Sequence, residues 1–181
     1  MEEIKEVLLA SETIADRVEE LGAQISGDYE GKKIIAVGVL KGALPFMADL
    51  IREIKTPLEY DLIAVSSYGA STTSSGIVRI IKDIDLSIEN ENVLVIEDIV
   101  DTGLTLKYLM ETLRSRRPAS LKSCVLLDKP YRRKTEIVPD YKGFNIPDHF
   151  VVGYGLDFAQ RFRNLPMIAV LKPEVYAKYK A

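Results

Sequence analysis

The chain has 181 residues, of which 47% are hydrophobic and 28% are charged, and its net charge is −3. This length and composition predict one ordinary domain over residues 1–181 with a single hydrophobic core, and they argue against a disordered chain or a fibrous repeat. The acidic balance argues against broad electrostatic binding of nucleic acid or of an anionic membrane.

The single cysteine and the single histidine restrict the chemistry further. Cys124 lies in an apolar run and has no second cysteine to pair with, which predicts a buried and reduced thiol. His149 stands alone, so a mechanism or metal site built on several histidines is excluded. Residues 1–6 lack the basic and apolar regions of a secretory signal, so we expect a cytoplasmic protein with no membrane segment.

The first quarter of the chain alternates helical and strand patterns. A helix is predicted after Ser11, a candidate N-cap, because apolar residues recur at helical spacing over 14–25. Residues 34–40 form a continuous apolar run that is typical of a strand buried on both faces. The pattern over 46–54 is helical again, and Pro45 is tolerated in its first turn.

The middle of the chain contains a loop of unusual composition. Strands are predicted over 58–67 and 77–82, the second as the return arm of a long hairpin. Residues 69–76, small and hydroxylated between two glycines, are predicted to be a mobile loop. A second doubly buried strand is predicted over 93–96, followed by a helix over 106–113.

The last third of the chain completes the pattern with strands over 123–127, 150–154 and 167–171 and a short helix over 173–180. Strands that alternate with helices predict right-handed crossovers and a mostly parallel sheet covered on both faces, which is an α/β fold. Ligands of such sheets gather beyond the carboxyl ends of the strands.

The strongest functional candidate follows the strand at 93–96. The next segment fits a phosphate group: Gly103 lets backbone N–H groups approach a ligand, and Thr102 and Thr105 add hydroxyl donors. The helix that follows contributes a partial positive charge at its N-terminus. The Gly-Lys-Ser/Thr ending of a Walker A loop is missing, so this is a different kind of phosphate site.

Two adjacent carboxylates, Glu97 and Asp98, precede the phosphate segment. Such a pair accepts hydrogen bonds from vicinal sugar hydroxyls or helps to hold a divalent cation over them. A plainer interpretation is that they solvate a strand end while Asp101, Thr102 and Thr105 cap the helix. The whole string, in a strand-to-helix context, favours a ribose phosphate site.

The string from Glu97 to Gly103 resembles the phosphoribosyl-diphosphate motif of the type I phosphoribosyltransferases. Further motifs in the same order narrow the resemblance to the hypoxanthine-guanine phosphoribosyltransferases, and they lie at residues 39–42, 67–68, 129, 147–154, 156–157 and 162–163. The resemblance implies a type I fold with a small hood and a flexible lid loop. It also implies a homodimer or homotetramer that binds phosphoribosyl diphosphate, a 6-oxopurine base, pyrophosphate and a purine nucleotide.

The resemblance implies roles for the residues that hold the sugar and its phosphates. Glu97 and Asp98 would bind the ribose hydroxyls and Mg²⁺, and Asp157 would anchor a second Mg²⁺. Arg163 would bind the pyrophosphate. The 5-phosphate would lie on the loop formed by Asp101, Thr102, Gly103, Leu104 and Thr105.

The resemblance also implies a cis peptide bond before a lysine in the turn that lies against the pyrophosphate. That turn is formed by Leu40, Lys41 and Gly42. Ser67 and Tyr68 would belong to the mobile lid and close over the substrates.

For the base, the resemblance implies four contacts. Asp101 would accept the proton near N7 of the purine. Lys129 would donate to the exocyclic oxygen at C6 and so select 6-oxopurines over adenine. Phe150 would stack on the base and Val151 would contact its edge through the main chain. Leu104 departs from the lysine that some relatives carry in the phosphate loop, and Asn164 from an acidic residue.

Three alternatives remain open at this point. A phosphoribosyltransferase that prefers xanthine is one, because Lys129 and Val151 read the C6 edge and leave C2 unread. An RNA-binding regulator with the same fold is another, although the acidic balance and the retained base site count against it. A purely structural α/β domain leaves the carboxylate cluster and the hydroxylated loop unexplained.

Overall fold

The computed structural model describes residues 2–67 and 78–177, which form two sheets and four α-helices. The helices are α1 (Ser11–Asp28), α2 (Leu44–Glu53), α3 (Leu104–Arg114) and α4 (Pro173–Ala177). The strands are β1 (Ile4–Leu9), β2 (Ile34–Leu40), β3 (Leu58–Ser67), β4 (Val78–Lys82), β5 (Asn92–Val100), β6 (Ser120–Asp128), β7 (Tyr141–Asn145), β8 (Val151–Val152) and β9 (Ile168–Leu171).

The main sheet has six strands in the order β4-β3-β2-β5-β6-β7. All its pairings are parallel except the one between β3 and β4, which is the predicted hairpin return. Alternate residues of a central strand face opposite sides: Ile34 and Ala36 pack with α1 and α2, whereas Ile35 and Val37 pack with α3. The predicted α/β class, with a mostly parallel sheet between helices, is confirmed.

The second sheet is small and antiparallel, with the strand order β1-β9-β8. It brings the N-terminal strand against the C-terminal one and carries the loop before β8. This sheet corresponds to the hood that the resemblance implied, and it lies beside the ends of the main strands, since Ile146, Val151 and Val170 belong to the same core as β6.

The sequence pattern predicts neither β1 nor β7. Both are edge strands of partly exposed residues, and Lys142, Gly143 and Asn145 give β7 little strand propensity. Pairing with β9 and β6 supplies the order that the local sequence does not.

Other boundaries also differ from the predictions. The N-cap of α1 is Ala10 and no side chain caps it, so the assignment of Ser11 as N-cap was wrong. β8 ends at Val152 because Gly153 and Tyr154 take positive φ angles. Several predictions fall outside the described residues: the lid at 69–76, Tyr68, Ile77 and the last residues of the predicted terminal helix.

The prediction of a buried thiol is confirmed. Cys124 is fully buried in β6, and this burial raises the pKa of its thiol, so the neutral form is favoured. Among the helices at 2–67 and 78–177, none is long and apolar enough to cross a membrane.

Candidate functional site

The carboxylate pair lies further inside a strand than predicted. β5 continues to Val100 because it stays paired with β6 up to Asp128. Its pairing with β2 ends at Ile96, opposite Gly38. Glu97 and Asp98 therefore lie on a part of β5 that pairs with β6 on one side and no longer pairs with β2 on the other.

Glu97 is buried, and its Oε2 has no hydrogen-bond partner among the described residues. Burial, together with the adjacent Asp98 carboxylate, raises the pKa of Glu97 well above its usual range. Burial also raises the pKa of Asp98. The N–H of Ile99, which donates to Asp98 Oδ1 at 2.8 Å, has the opposite effect because it favours the charged form. A buried carboxyl oxygen without a partner is costly, so this pair is suited to a ligand that supplies hydroxyl donors or a cation.

The turn after β2 packs directly against this pair. The peptide bond between Leu40 and Lys41 is cis, as the resemblance implied, and Lys41 is exposed. Gly42 is buried so close to Asp98 that an added Cβ would lie 2.6 Å from Asp98 Cγ and clash with the carboxylate. Only glycine lets the turn approach the carboxylate to this distance.

Arg163 approaches the same carboxylates from the hood. Its Nη1 donates to the carbonyl of Gly155 at 2.7 Å, and its Nη2 lies 2.7 Å from Asp157 Oδ1. Asp157 Oδ2 accepts the N–H of Gln160 at 2.8 Å. The Arg163 guanidinium also favours the charged form of Asp98, and its own Nε is buried without a partner in the described part of the chain.

The phosphate segment encloses a concavity of about 90 Å³, with Asp101, Thr102, Gly103 and Thr105 in its wall. That volume corresponds to about three water molecules at roughly 30 Å³ each, which is enough for one small anion. Gly103 is in the left-handed region at φ 82° and is the N-cap of α3, so the N-cap is not Asp101, Thr102 or Thr105, as the plainer interpretation of the sequence had it. Leu104 does not line this concavity and lies instead in the wall of a separate cleft beside α3.

A segment that the sequence did not single out supports this loop from behind. The N–H of Lys134 donates to the carbonyl of Thr102 at 2.8 Å. Arg133 Cδ and Ile137 Cγ2 lie 2.8 Å and 3.0 Å from the position that a Gly103 Cβ would occupy. Residues 133–137 therefore fix the position of the loop.

A larger cleft of about 510 Å³ opens on the other side of Asp101. Lys129 lies in it and is only 7% exposed, with its Nζ donating to the carbonyl of His149 at 2.8 Å. Phe150 and the buried Val151 line the same cleft. A lysine buried at a cleft wall is unusual, and it places a cationic donor where a ligand edge would lie.

Six residues of this cleft were not predicted as site residues: Ile99, Arg132, Asp148, His149, Leu156 and Tyr176. Ile99 lines both cavities, as Asp101 does, and its place inside the 97–103 motif was the one sequence signal for it. Tyr176 stacks on Phe150 with ring centroids 5.0 Å apart and an interplanar angle of 19°. A residue of the last helix reaches this wall only through the fold, so the local sequence carried no signal.

The predicted lid residues are only partly described. Ser67 ends β3, its side chain lies outside the described part, and so does Tyr68. Apart from these two and Leu104, which lines a separate cleft, every residue predicted for the site lines one of the two cavities, lies at the Leu40–Lys41–Gly42 turn or lies around Arg163.

Glu97 and Asp98 could supply part of the ligand set of a magnesium ion. Within residues 2–67 and 78–177 no group of three or more His, Cys, Asp or Glu side chains is arranged to hold a metal ion. Mg²⁺ usually takes one or two protein carboxylates together with substrate oxygens and water, so a complete protein cage is not needed. The unpartnered Glu97 Oε2 beside Asp98 is consistent with this mode, whereas both Asp157 oxygens already have partners.

Comparisons with known proteins agree with this geometry. Residues 5–159 match the phosphoribosyl transferase domain model. The chain is 58% identical over 174 residues to the hypoxanthine-guanine phosphoribosyltransferase of Bacillus subtilis strain 168, covering 96% of this chain and 97% of that protein. It is 55% identical to the enzyme of the same name from Staphylococcus aureus strain Mu50, covering 97% and 98%.

Solved structures give the same result. The crystal structure of a hypoxanthine phosphoribosyltransferase from Staphylococcus aureus superposes with a TM-score of 0.93 at 55% identity, covering 97% of this chain and 95% of that one. The hypoxanthine phosphoribosyl transferase of Trypanosoma cruzi superposes with a TM-score of 0.92 at 44% identity, covering 98% and 96%. The chain belongs to the phosphoribosyl transferase family and, within it, to the hypoxanthine-guanine phosphoribosyltransferases.

Proposed function

We propose that this transferase moves the 5-phosphoribosyl group from phosphoribosyl diphosphate to hypoxanthine or guanine, in a purine salvage reaction that depends on Mg²⁺. The products are IMP or GMP and pyrophosphate. The observation that carries the proposal is the position of Asp101, which lines both the anion-sized concavity and the cleft with the buried Lys129. If the 5-phosphate of a ribose lies in the anion-sized concavity, C1 of that ribose is directed towards a base in the cleft with Lys129.

The cleft supports the choice of base. Lys129 Nζ donates a hydrogen bond to O6 of a 6-oxopurine. Adenine carries an amino group at C6, so two hydrogen-bond donors would face each other there. Phe150 provides an aromatic face that is 38% exposed, and the backbone of Val151 contacts the edge of the base. Asp101 then accepts the proton that leaves N7 as the bond to the ribose forms at N9.

The opposite end of the site supports the leaving group. Glu97 and Asp98 bind the ribose hydroxyls, and Asp101 to Thr105 bind the 5-phosphate. The Leu40–Lys41–Gly42 turn and Arg163 bind the pyrophosphate. Bound Mg²⁺, held by Glu97, Asp98 and Asp157, would supply positive charge to the pyrophosphate as it departs. These groups stabilise charge on the leaving group, so the reaction needs no protein nucleophile.

We further propose that Ser67 and Tyr68 close over the bound substrates and exclude water, and that the enzyme is cytoplasmic. We also propose that it forms a homodimer or homotetramer, without nucleic acid or membrane as partners. Light scattering coupled to size-exclusion chromatography measures the assembly directly, and a monomer at micromolar concentration would contradict this part of the proposal.

The test of the reaction is pyrophosphate release from phosphoribosyl diphosphate with hypoxanthine, guanine, xanthine or adenine supplied one at a time, with Mg²⁺ and with EDTA. We expect turnover with hypoxanthine and guanine, none with adenine and none in EDTA. Faster turnover with xanthine than with the other two would replace the proposed base preference. Phosphoribosyl-diphosphate binding without turnover on any base would contradict the proposal and favour a regulator on the same fold.

A further inference from the structure

Arg132 joins two loops that form opposite sides of the base cleft. It is the last residue of the 3₁₀ turn Pro130–Arg132 that follows β6. Its Nε lies 2.7 Å from Asp101 Oδ1 on the phosphate loop, and its Nη1 donates to Asp148 Oδ1 at 3.0 Å on the loop before β8. One guanidinium therefore contacts a carboxylate on each side.

The contact with Asp101 involves one particular oxygen. Oδ1 is buried, and the Nε–H does not point at it well enough to form a hydrogen bond, so the contact is an ion pair. The Asp101 side chain as a whole remains 40% exposed. Its other oxygen, Oδ2, is not held by any residue that the structure describes, so Arg132 can fix Asp101 and leave an oxygen for the substrate.

The charges around the cleft balance through Arg132. Asp148 Oδ1 also lies 3.7 Å from Lys129 Nζ, so two cations face two carboxylates. Without Arg132, Lys129 would be the one described cation left within 4 Å of these carboxylates, and its interaction with Asp148 would compete with donation to the base. Lysine in place of arginine would not restore the arrangement, because an ammonium lacks the planar fork that reaches two partners.

We propose that Arg132 is a positioning residue for the purine base: it orients Asp101 towards the base and ties the Asp148–Phe150 loop to the phosphate loop, so that both sides of the cleft are set before the base enters. This inference rests on the proposed function, since it assigns to Asp101 and Lys129 their roles towards a 6-oxopurine. It adds a residue that touches neither the base nor the phosphate but acts through Asp101 and Asp148.

The experiment compares Arg132→Met, Arg132→Lys and Asp148→Asn with the wild-type enzyme in steady-state assays that vary each substrate separately. Arg132→Met is expected to raise KM for hypoxanthine about tenfold and to lower kcat about tenfold, since small misplacements of reacting groups cost this much or more. KM for phosphoribosyl diphosphate should stay nearly unchanged because Arg132 does not touch the phosphate. The melting temperature should also stay nearly unchanged because a half-exposed ion pair adds little stability. Arg132→Lys should recover only part of the loss.

The control is Arg117→Met, which removes another exposed arginine whose Nη2 lies 2.7 Å from Glu89 Oε1, remote from the cleft. It should behave as wild type. The double variant Arg132→Met with Asp148→Asn tests the link, because residues that act through one contact give fold-effects that do not multiply.

The outcomes separate this inference from the proposed function. If the wild-type enzyme turns over no base, the proposed function fails first. If it turns over hypoxanthine while Arg132→Met keeps KM and kcat within about twofold, well under the tenfold loss expected from misplacement, the positioning role is refuted alone. A rise in KM for both substrates with a lower melting temperature would also refute it, since that pattern indicates a general structural role.

Discussion

A glycine series tests whether residues 133–137 hold the phosphate loop. Gly103 combines a positive φ of 82° with close neighbours, since an added Cβ would lie 2.8 Å from Arg133 Cδ and 3.0 Å from Ile137 Cγ2. Replacement by alanine is expected to cost about 1–2 kcal/mol for the left-handed backbone and about 1–3 kcal/mol for overpacking, or about 2–5 kcal/mol in sum.

Two other glycines separate these contributions. Gly31 has a φ of 72° with nothing within 4 Å of an added Cβ, so its replacement by alanine carries only the backbone cost of about 1–2 kcal/mol. Gly27 lies in α1 with equally open space and no positive φ. Alanine there is expected to stabilise the protein by about 0.5–1 kcal/mol, because glycine loses more backbone entropy in a helix.

The assay is urea unfolding of the three variants, with melting temperatures as a second measure. In a chain of this length each kcal/mol changes the melting temperature by about 2–4 °C. From the most to the least stable, the expected order is Gly27→Ala, wild type, Gly31→Ala and Gly103→Ala. If Gly103→Ala costs no more than Gly31→Ala, the packing of 133–137 against the loop does not constrain it and the reasoning is refuted. Gly103→Ala should also raise KM for phosphoribosyl diphosphate, which Gly31→Ala should leave unchanged.

Three further predictions concern single side chains. Asp101→Asn is expected to lower kcat about 10²–10⁴-fold, the usual contribution of a proton acceptor, with little change in the calorimetric affinity for phosphoribosyl diphosphate; equal losses of both would contradict the proton-transfer role. Lys129→Met is expected to raise KM for hypoxanthine about 10–100-fold by removing a charged hydrogen bond and to weaken discrimination against adenine in the four-base assay; unchanged discrimination would contradict its role. Asp61 is partly buried, which raises its pKa, but the N–H groups of Leu86, Leu62 and Asp85 bring the pKa below its ordinary value of 3.8. Because the folded pKa is the lower one, its stabilisation is present above that ordinary value and is lost as the pH falls through the folded pKa. Melting temperatures between pH 5 and about 2.5 should therefore fall less steeply for Asp61→Asn than for the wild type, and parallel curves would contradict this reasoning.

The chain order of the helices and strands other than β1 and β7 was predictable from the sequence, and so was the place of the candidate site at the end of a central strand. Continuous apolar runs at 34–40 and 93–96 indicated doubly buried strands because both faces of a parallel sheet are covered. The motif at 97–103 indicated a ribose phosphate site because its chemistry lies in adjacent residues at a strand-to-helix turn. The helices α2 and α3 follow from the helical spacing of their apolar residues in the same way.

The tertiary structure decided what depends on pairing and on distant contacts. β1 and β7 form because β9 and β6 offer them partners, although the residues of β7 favour a strand only weakly. The pairing with β6 carries β5 past the predicted end, and Asp98 on this extension lies beside Gly42. Arg132, Asp148 and Tyr176 join the base cleft from three separate loops or helices. No local pattern encodes such a meeting, because it depends on the side chains of segments that only the folded sheet brings together.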